Sequence, residues 1–107
     1  MRSEWTMAGQ ALRSSHALAT LRAHKRELVE RFGVVDLALF GSVVRDEATE
    51  ESDIDVLVSF DGPADSGRYF GLQFYIEDLL GRPVDLVTNK ALRPELRPYV
   101  EADAVRV

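Results

Sequence analysis

Apolar residues recur along this chain with two different periods, and these periods predict its secondary structure. Across residues 16–32, leucine, valine and phenylalanine return at the three- and four-residue spacing of an amphipathic helix, and Gly33 is placed to end it. The same reasoning predicts a short helix over residues 43–48, a longer one over residues 68–80, and a last one over residues 92–102 that its two prolines kink.

Segments rich in β-branched and aromatic residues lie between the predicted helices and are typical of buried strands. They are Val34–Phe40, Ile54–Phe60 and Val84–Thr88, with a short edge strand at residues 105–107. Helices and strands thus alternate, which predicts an α/β (α+β) fold, a small mixed β-sheet with helices packed on it. We expect one domain over residues 14–107, preceded by a loose lead-in at residues 1–13.

Charge and composition narrow the range of possible functions. Acidic residues number 18 against 13 basic ones, the net charge is −5, and lysine and arginine form no run. Direct binding to nucleic acid is therefore not expected, because clustered positive charge supplies most of that affinity. The chain has no cysteine, which excludes disulfides and thiolate metal sites. No apolar stretch approaches the ~18 residues of a membrane span, so we expect a cytoplasmic protein that does not bind membranes.

Gly41 and Ser42 stand where the first predicted strand ends and a short helix begins. Glycine lets a ligand approach the backbone closely, and the amides at the start of a helix favour a phosphate group. The Ser42 hydroxyl adds a further donor. The pair is a candidate phosphate-binding loop.

Three aspartates are candidates for a metal site. Asp53 and Asp55 are two residues apart at the start of a strand, so their side chains should project from the same face. Neighbouring carboxylates repel each other unless a cation lies between them, and carboxylate oxygens suit Mg²⁺. Asp85 is the charged residue of an otherwise apolar strand. A buried carboxylate there needs a partner, and Asp85 joins the other two if the strands are neighbours.

Each of these features also has a purely structural interpretation. A D-x-D at a strand start is often a capping or turn feature, and Asp85 could pair with Arg82 or Arg93. The joint pattern favours a site, because Gly41-Ser42 is followed after ten residues by the two aspartates, and then by a third in a later strand.

The joint pattern resembles the DNA polymerase β-like nucleotidyltransferase superfamily, whose signature is Gly-Ser followed at a distance by D-x-D or D-x-E. The runs LFGSVVR, SDIDVLV and GRPVDLV, which begin at Leu39, Ser52 and Gly81, are most similar to its minimal nucleotidyltransferases (MNT), the antitoxin half of MNT/HEPN toxin–antitoxin pairs. The resemblance extends from Leu18 to Val107 and implies the polymerase β-like fold.

The resemblance implies a role for each motif residue. Gly41 and Ser42 would hold the terminal phosphates of ATP. Asp53, Asp55 and Asp85 would be the catalytic residues and would ligate one or two Mg²⁺ ions. Asp85 could instead accept the proton of the attacking hydroxyl.

Three further residues lie near these motifs. Arg45 matches the arginine that follows Gly-Ser in the family, where it would contact phosphate, and a salt bridge with Asp46 or Glu50 is an equal alternative. Ser52 is a further nucleotide-binding candidate, although its simplest duty is to shape the turn. Asp46 is a departure, since many relatives have glycine after the arginine.

The resemblance also implies an acceptor. AMP from ATP would be transferred to a tyrosine of a partner HEPN-family ribonuclease toxin and would silence it. A chain of 107 residues has little material for a separate substrate domain, so we expect another protein to present the acceptor.

Two alternatives remain open. The protein could neutralise its partner by binding alone, and Tyr69, Phe70 and Tyr75 could supply that surface, although we expect these aromatic side chains to be core or half-buried. Nucleotidyl transfer to a small molecule such as an aminoglycoside is the other alternative, and it needs a second domain or a dimer to complete the pocket.

Overall fold

The central strands lie where the pattern of β-branched residues predicts them. In the computed structural model, which describes residues 13–49 and 51–107, β1 spans Val34–Phe40, β2 spans Ile54–Phe60 and β3 spans Val84–Thr88. A short strand β4, Val105–Arg106, completes a sheet of order β3-β2-β1-β4. β1 is antiparallel to β2 and β4, whereas β2 is parallel to β3, so the sheet is mixed as predicted.

Alternate residues of β2 divide between the two faces of the sheet. Ile54, Val56 and Val58 are fully buried, while Asp55 and Leu57, which point to the opposite face, are only half-buried. Helices Ser14–Ala23, Lys25–Phe32 and Ser66–Leu80 cover the first face and contribute Ala17, Leu21, Leu28, Leu72, Ile76 and Leu80 to the core. We call the covered face the inner face and the other, which carries Asp55, the outer face.

The single helix predicted over residues 16–32 is in fact two helices. They are α1, Ser14–Ala23, and α2, Lys25–Phe32. The break falls at His24, whose ψ is 15° and whose N–H binds the Leu21 carbonyl at 3.1 Å. Both helices pack against α3 (Ser66–Leu80), and α2 also packs against β1. Leu21 and Leu28 are both buried. Because residues seven apart share one face of a continuous helix, the apolar spacing did not reveal the break.

The other two α-helices differ from prediction at their starts. Helix α3 begins at Ser66 because the Asp65 carboxylate accepts the Arg68 N–H at 2.8 Å and caps it. Helix α4 spans Arg97–Asp103 and so begins five residues later than predicted. Pro94 disfavours helical conformation in the residue before it, and the chain forms turns there.

The short helix predicted over residues 43–48 was wrong. A 3₁₀ turn, Gly41–Val43, stands in its place. Asp46 then adopts a φ of 57°, a left-handed conformation through which an α-helix cannot continue.

The loose N-terminal lead-in and the cytoplasmic location are predictions that the structure does not test. Most of the loose lead-in, residues 1–12, lies outside the described residues. Within residues 13–49 and 51–107, no helix combines the length and apolar character needed to cross a bilayer. The expectation of a cytoplasmic protein therefore stays a prediction.

Candidate active site

The candidate phosphate loop and the candidate metal ligands meet at one end of the sheet. β1 ends at Phe40, which pairs with Asp55 at the start of β2, so Gly41 lies beside the Asp55 carboxylate. Gly41 has a φ of 78°, which residues with a side chain rarely adopt. A Cβ atom at this position would also collide with Asp55 Oδ2. Glycine is therefore required here both for the turn and for the close approach.

Asp55 is electrostatically coupled to two further carboxylates. Its register partner across the parallel pair of β2 and β3 is Asp85, and Asp53 precedes it by two residues. The pKa of Asp55 is raised to about 6, first by burial and then by the negative charges of Asp85 and Asp53, while the Arg45 guanidinium lowers it. The structure thus brings the three predicted aspartates into one cluster.

The aspartates of this cluster differ in exposure. Asp55 is half-buried, whereas Asp53 and Asp85 are exposed. The apolar run of β3 had indicated a buried Asp85 in need of a partner, and this was wrong because β3 is an edge strand whose outer face is open. Asp53 lies one residue before β2 begins, at the mouth of the cluster.

The carboxylate oxygens of this cluster are ligands that suit a divalent cation such as Mg²⁺. Carboxylate oxygens are its usual protein ligands, and an ion beside Asp55 would relieve the repulsion that raises the pKa of this group. In the part of the chain that the structure describes, no group of three or more acidic, histidine or cysteine side chains is placed so that it could hold a metal ion. The protein presents part of a coordination shell, and Mg²⁺ usually completes such a shell with substrate phosphates and water.

Ser42 follows Gly41 in the 3₁₀ turn and is half-buried. Its carbonyl accepts the Glu47 N–H at 2.9 Å, which closes the loop after the turn. The sequence had indicated a helix start here, but a single turn lacks the aligned dipoles of a longer helix. Any phosphate bound at this loop would depend on the local amides and on the Ser42 hydroxyl.

Arg45 forms salt bridges, though with partners other than the predicted ones. Its Nε binds Glu47 Oε1 at 2.9 Å, and its Nη1 binds the Asp103 carboxylate in α4. Asp46 is engaged elsewhere, and Glu50 lies outside the described residues. Because the Arg45 charge still lowers the pKa of Asp55, it acts on the cluster, and its contact with phosphate stays a prediction.

Ser52 shapes the turn that leads into β2. Its Oγ accepts the Thr49 N–H at 3.0 Å, and its own N–H donates to the Thr49 carbonyl at 3.1 Å. Arg82 Nη1 donates to the same carbonyl at 2.5 Å and ties this turn to the residues before β3. These bonds confirm a structural role for Ser52, and its contact with nucleotide stays a prediction.

Asp46 occupies a left-handed backbone conformation that glycine adopts most readily. Aspartate is one of the few residues with a side chain that visits left-handed φ values such as its 57°. Its Oδ1 accepts the Ser14 N–H at 2.8 Å, and this hydrogen bond is the main cause of a lowered Asp46 pKa. Asp46 therefore caps α1 from the phosphate loop, which a glycine cannot do.

Polar side chains of α3 hold β3 in place, a role that the sequence pattern did not predict. The hydrogen bonds run from Tyr69 Oη to the Leu86 carbonyl, from Gln73 Nε2 to the Val84 carbonyl (3.0 Å), and from the Val84 N–H to Glu77 Oε2 (2.8 Å). They satisfy the backbone of an edge strand on either side of Asp85. The sequence does carry a sign of this role, because Tyr69, Gln73 and Glu77 are polar residues four apart and so lie on one face of the helix.

Two aromatic side chains of α3 form an exposed apolar surface. Phe70 is 49% exposed and Phe74 is 60% exposed, and their rings stack with centroids 6.5 Å apart. Tyr69 and Tyr75, considered for the same surface, are half-buried against the core. The exposed aromatic surface of α3 therefore consists of Phe70 and of Phe74, which the sequence had not indicated for binding.

Known sequences agree with the interpretation of the motifs. Residues 21–107 match the model of the nucleotidyltransferase domain family. Protein adenylyltransferase MntA from Thermococcus cleftensis is 45% identical over 87 residues, covering 81% of this chain and 88% of that protein. A provisionally named protein adenylyltransferase from Methanocaldococcus jannaschii is 44% identical over 88 residues, covering 81% and 90%.

Solved structures agree in fold. A provisionally named minimal nucleotidyltransferase matches with a TM-score of 0.77 at 35% identity, covering 92% of this chain and 100% of that one. A complex of a tri-AMPylated Shewanella oneidensis HEPN toxin with MNT antitoxin matches with a TM-score of 0.62 at 20% identity, covering 84% and 70%, which shows the fold alone. The predicted α/β fold and enzyme class are confirmed. The chain belongs to the nucleotidyltransferase domain family, as a minimal nucleotidyltransferase of the polymerase β-like fold.

Proposed function

We propose that this protein transfers AMP from ATP to a tyrosine hydroxyl of a HEPN-family ribonuclease toxin, and so acts as its antitoxin. One observation carries the proposal: the Gly41–Ser42 turn meets Asp55 and Asp85 at a single end of the sheet. A phosphate loop beside coupled carboxylates suits a triphosphate with a bound cation.

The similar proteins support the finer parts of the proposal. The relatives from Thermococcus and Methanocaldococcus are named protein adenylyltransferases, which favours AMP as the transferred group and a protein as the acceptor. An MNT antitoxin of the same fold occurs in a complex with an AMPylated HEPN toxin, which favours that class of partner.

The proposed reaction exchanges a phosphoanhydride bond of ATP for a phosphoester bond to tyrosine. The phenolic oxygen bonds to the α-phosphorus of ATP, the bond from that phosphorus to the bridging oxygen breaks, and pyrophosphate leaves. Gly41 and Ser42 hold the terminal phosphates by amide and hydroxyl donors. Asp85, exposed beside Asp55, accepts the phenolic proton.

The carboxylates would also hold Mg²⁺. Asp53 and Asp55 would supply its oxygen ligands, and Asp85 would be a third ligand only where it does not take the phenolic proton. The ion would neutralise the charge that develops on the phosphates. Arg45 adds positive charge next to the same cluster, since it already lowers the pKa of Asp55. Ser52 is proposed to contact the nucleotide from the turn before β2.

The test is an intact-mass measurement on both proteins. The purified chain is mixed with MgCl₂, each nucleoside triphosphate in turn, and the product of the adjacent gene. We expect an AMP-sized gain on the partner with ATP, and no gain with the variant Asp53→Asn/Asp55→Asn. Asp61→Asn, which removes a carboxylate just after β2 at the other end of that strand, is the matched control and should retain transfer.

Other outcomes discriminate among the alternatives. A stable complex with no mass gain on either protein would overturn the transfer reaction and favour an antitoxin that acts by binding, for which Phe70 and Phe74 offer an exposed surface. A gain on an aminoglycoside but not on the partner would favour a small-molecule acceptor.

A further inference from the structure

The outer face of the sheet carries a cavity that the proposed chemistry leaves unused. It has a volume of about 320 Å³ and lies between the sheet and α4. Ala38 of β1 and Leu57 of β2 line it from the sheet, and Arg97 and Ala104 line it from the region of α4. Ser59 closes its far end on β2.

This cavity is continuous with the carboxylate cluster. The cross-strand pairs Phe40–Asp55, Ala38–Leu57 and Asp36–Ser59 follow one another along β1 and β2. Residues two apart on a strand share a face, and each such step advances by roughly 7 Å. The cavity therefore begins one step from Asp55, on the side away from Gly41.

The in-line geometry of the reaction indicates which substrate approaches Asp55 from the side of the cavity. In phosphoryl transfer the attacking and leaving oxygens lie roughly in line on opposite sides of the phosphorus. Pyrophosphate leaves toward Gly41–Ser42, which lie beyond the Phe40–Asp55 pair at the end of the sheet. The attacking hydroxyl must then approach from the opposite direction, which is that of the cavity.

We propose that this cavity is the acceptor subsite, which receives a tyrosine side chain from the partner and directs its hydroxyl toward Asp55 and Asp85. This inference rests on the proposed function. The ring packs against Ala38 and Leu57. Ligand pockets typically measure roughly 300–1,000 Å³, so a volume of about 320 Å³ suits one side chain better than a whole nucleotide.

The charges around the cavity also favour a neutral ring over a phosphate. Arg97 Nη1 binds Asn89 Oδ1 at 2.8 Å and Glu101 at 3.3 Å. Arg106 Nη1 binds Asp36 Oδ1 at 3.1 Å. Both arginines are thus paired with carboxylates of the same rim, which leaves the rim near neutrality. A phosphate would have to compete with these carboxylates, whereas a phenol does not.

The first test measures binding without catalysis. The ¹⁵N-labelled full chain is titrated with N-acetyl-tyrosinamide, with N-acetyl-alaninamide as the matched probe, in the absence of ATP. We expect the backbone amide signals of Ala38, Leu57 and Ser59 to shift with the tyrosine probe only. In Ser59→Phe, which fills the cavity, the apparent affinity should fall roughly tenfold. Val35→Phe adds the same ring at an exposed position of β1 outside the cavity and should bind as wild type does.

The binding test separates this proposal from the proposed function. Shifts that cluster elsewhere, shifts unchanged in Ser59→Phe, or no shifts at all would overturn the acceptor subsite. Localised shifts in a protein that transfers no AMP would show that the cavity binds tyrosine, but would overturn the reaction and with it the acceptor role.

The second test measures transfer kinetics to the partner protein. Ser59→Phe should raise the KM for the partner roughly tenfold and leave the KM for ATP unchanged. A raised KM for ATP with an unchanged KM for the partner would overturn the proposal and place the nucleoside in the cavity.

Discussion

The two faces of β2 carry opposite kinds of residues on the same seven-residue strand. On the inner face, Ile54, Val56 and Val58 have no exposed surface and hold the sheet to the helices. On the outer face, Asp55 is a carboxylate held among like charges, and its pKa is raised to about 6. Burial stabilises the fold on one face and destabilises an ionised group on the other.

This difference shows how a small domain can separate stability from chemistry. Alternation places successive residues on different faces, so the core and the site are interleaved in sequence but apart in space. Substitutions on the inner face should lower stability and spare activity, while those at Asp55 should lower activity and raise stability.

The largest effect is expected for removal of the outer-face carboxylate. Asp55→Asn keeps the shape of the side chain but removes its charge, so AMP transfer should fall by roughly 10²–10³-fold or more. Transfer rates with purified partner and MgATP provide the measurement, and Asp61→Asn is the matched control. An Asp55→Asn variant with wild-type rates would remove Asp55 from the site.

A core substitution tests the opposite face of the same strand. Val58→Ala removes two methyl groups from a fully buried position and should lower the free energy of unfolding by about 2–3 kcal/mol. Transfer by the folded fraction should be unchanged. Urea denaturation measures the loss, and Val35→Ala, at a position 66% exposed, should change stability by less than ~0.5 kcal/mol. Equal losses at the two positions would contradict the assignment of the faces.

The pH dependence of stability tests the strain at Asp55. Its pKa is about 6 in the folded protein against an ordinary 3.8, so the unfolded chain releases this proton first as the pH rises. The contribution of Asp55 to the free energy of unfolding should therefore fall between about pH 3.8 and 6.

Asp55→Asn removes this contribution. In metal-free buffer the variant should match wild type at the acidic end of that window and be more stable at pH 7 by about 1–2 kcal/mol, a value reduced for solvent screening of a half-exposed group. Denaturation in EDTA at several pH values gives the difference. A constant difference across the window would show that Asp55 is not strained.

The smallest effect on activity is expected for a substitution in α3, which packs on the inner face and supports β3, the strand that carries Asp85. Tyr69→Phe removes the hydrogen bond to the Leu86 carbonyl next to Asp85, and should lower stability by about 1 kcal/mol. Because Asp85 loses one of its supports, kcat should fall a few-fold while the KM for ATP stays unchanged. Tyr99→Phe removes an exposed hydroxyl from α4 as the control. If kcat is unaffected, the bond serves stability alone.

Much of the fold followed from local patterns. Strands β1, β2 and β3 were predicted to their end residues because each is a short, mostly apolar run bounded by glycine, aspartate, proline or asparagine. Glycine signals also placed the ends of α2 and α3 correctly, since Gly33 and Gly81 both take left-handed conformations there.

The sequence by itself determined the chemistry available at the site: a Gly-Ser turn, two aspartates at strand spacing, and a third in a later strand. Only the tertiary structure decided how these groups meet, because strand order and register depend on packing between residues far apart in the chain. The parallel pairing of β2 and β3 sets Asp85 beside Asp55, and the antiparallel pairing of β1 and β2 sets Gly41 against its carboxylate. The break at His24, the cap from Asp46 and the bonds from α3 to β3 escaped prediction for the same reason.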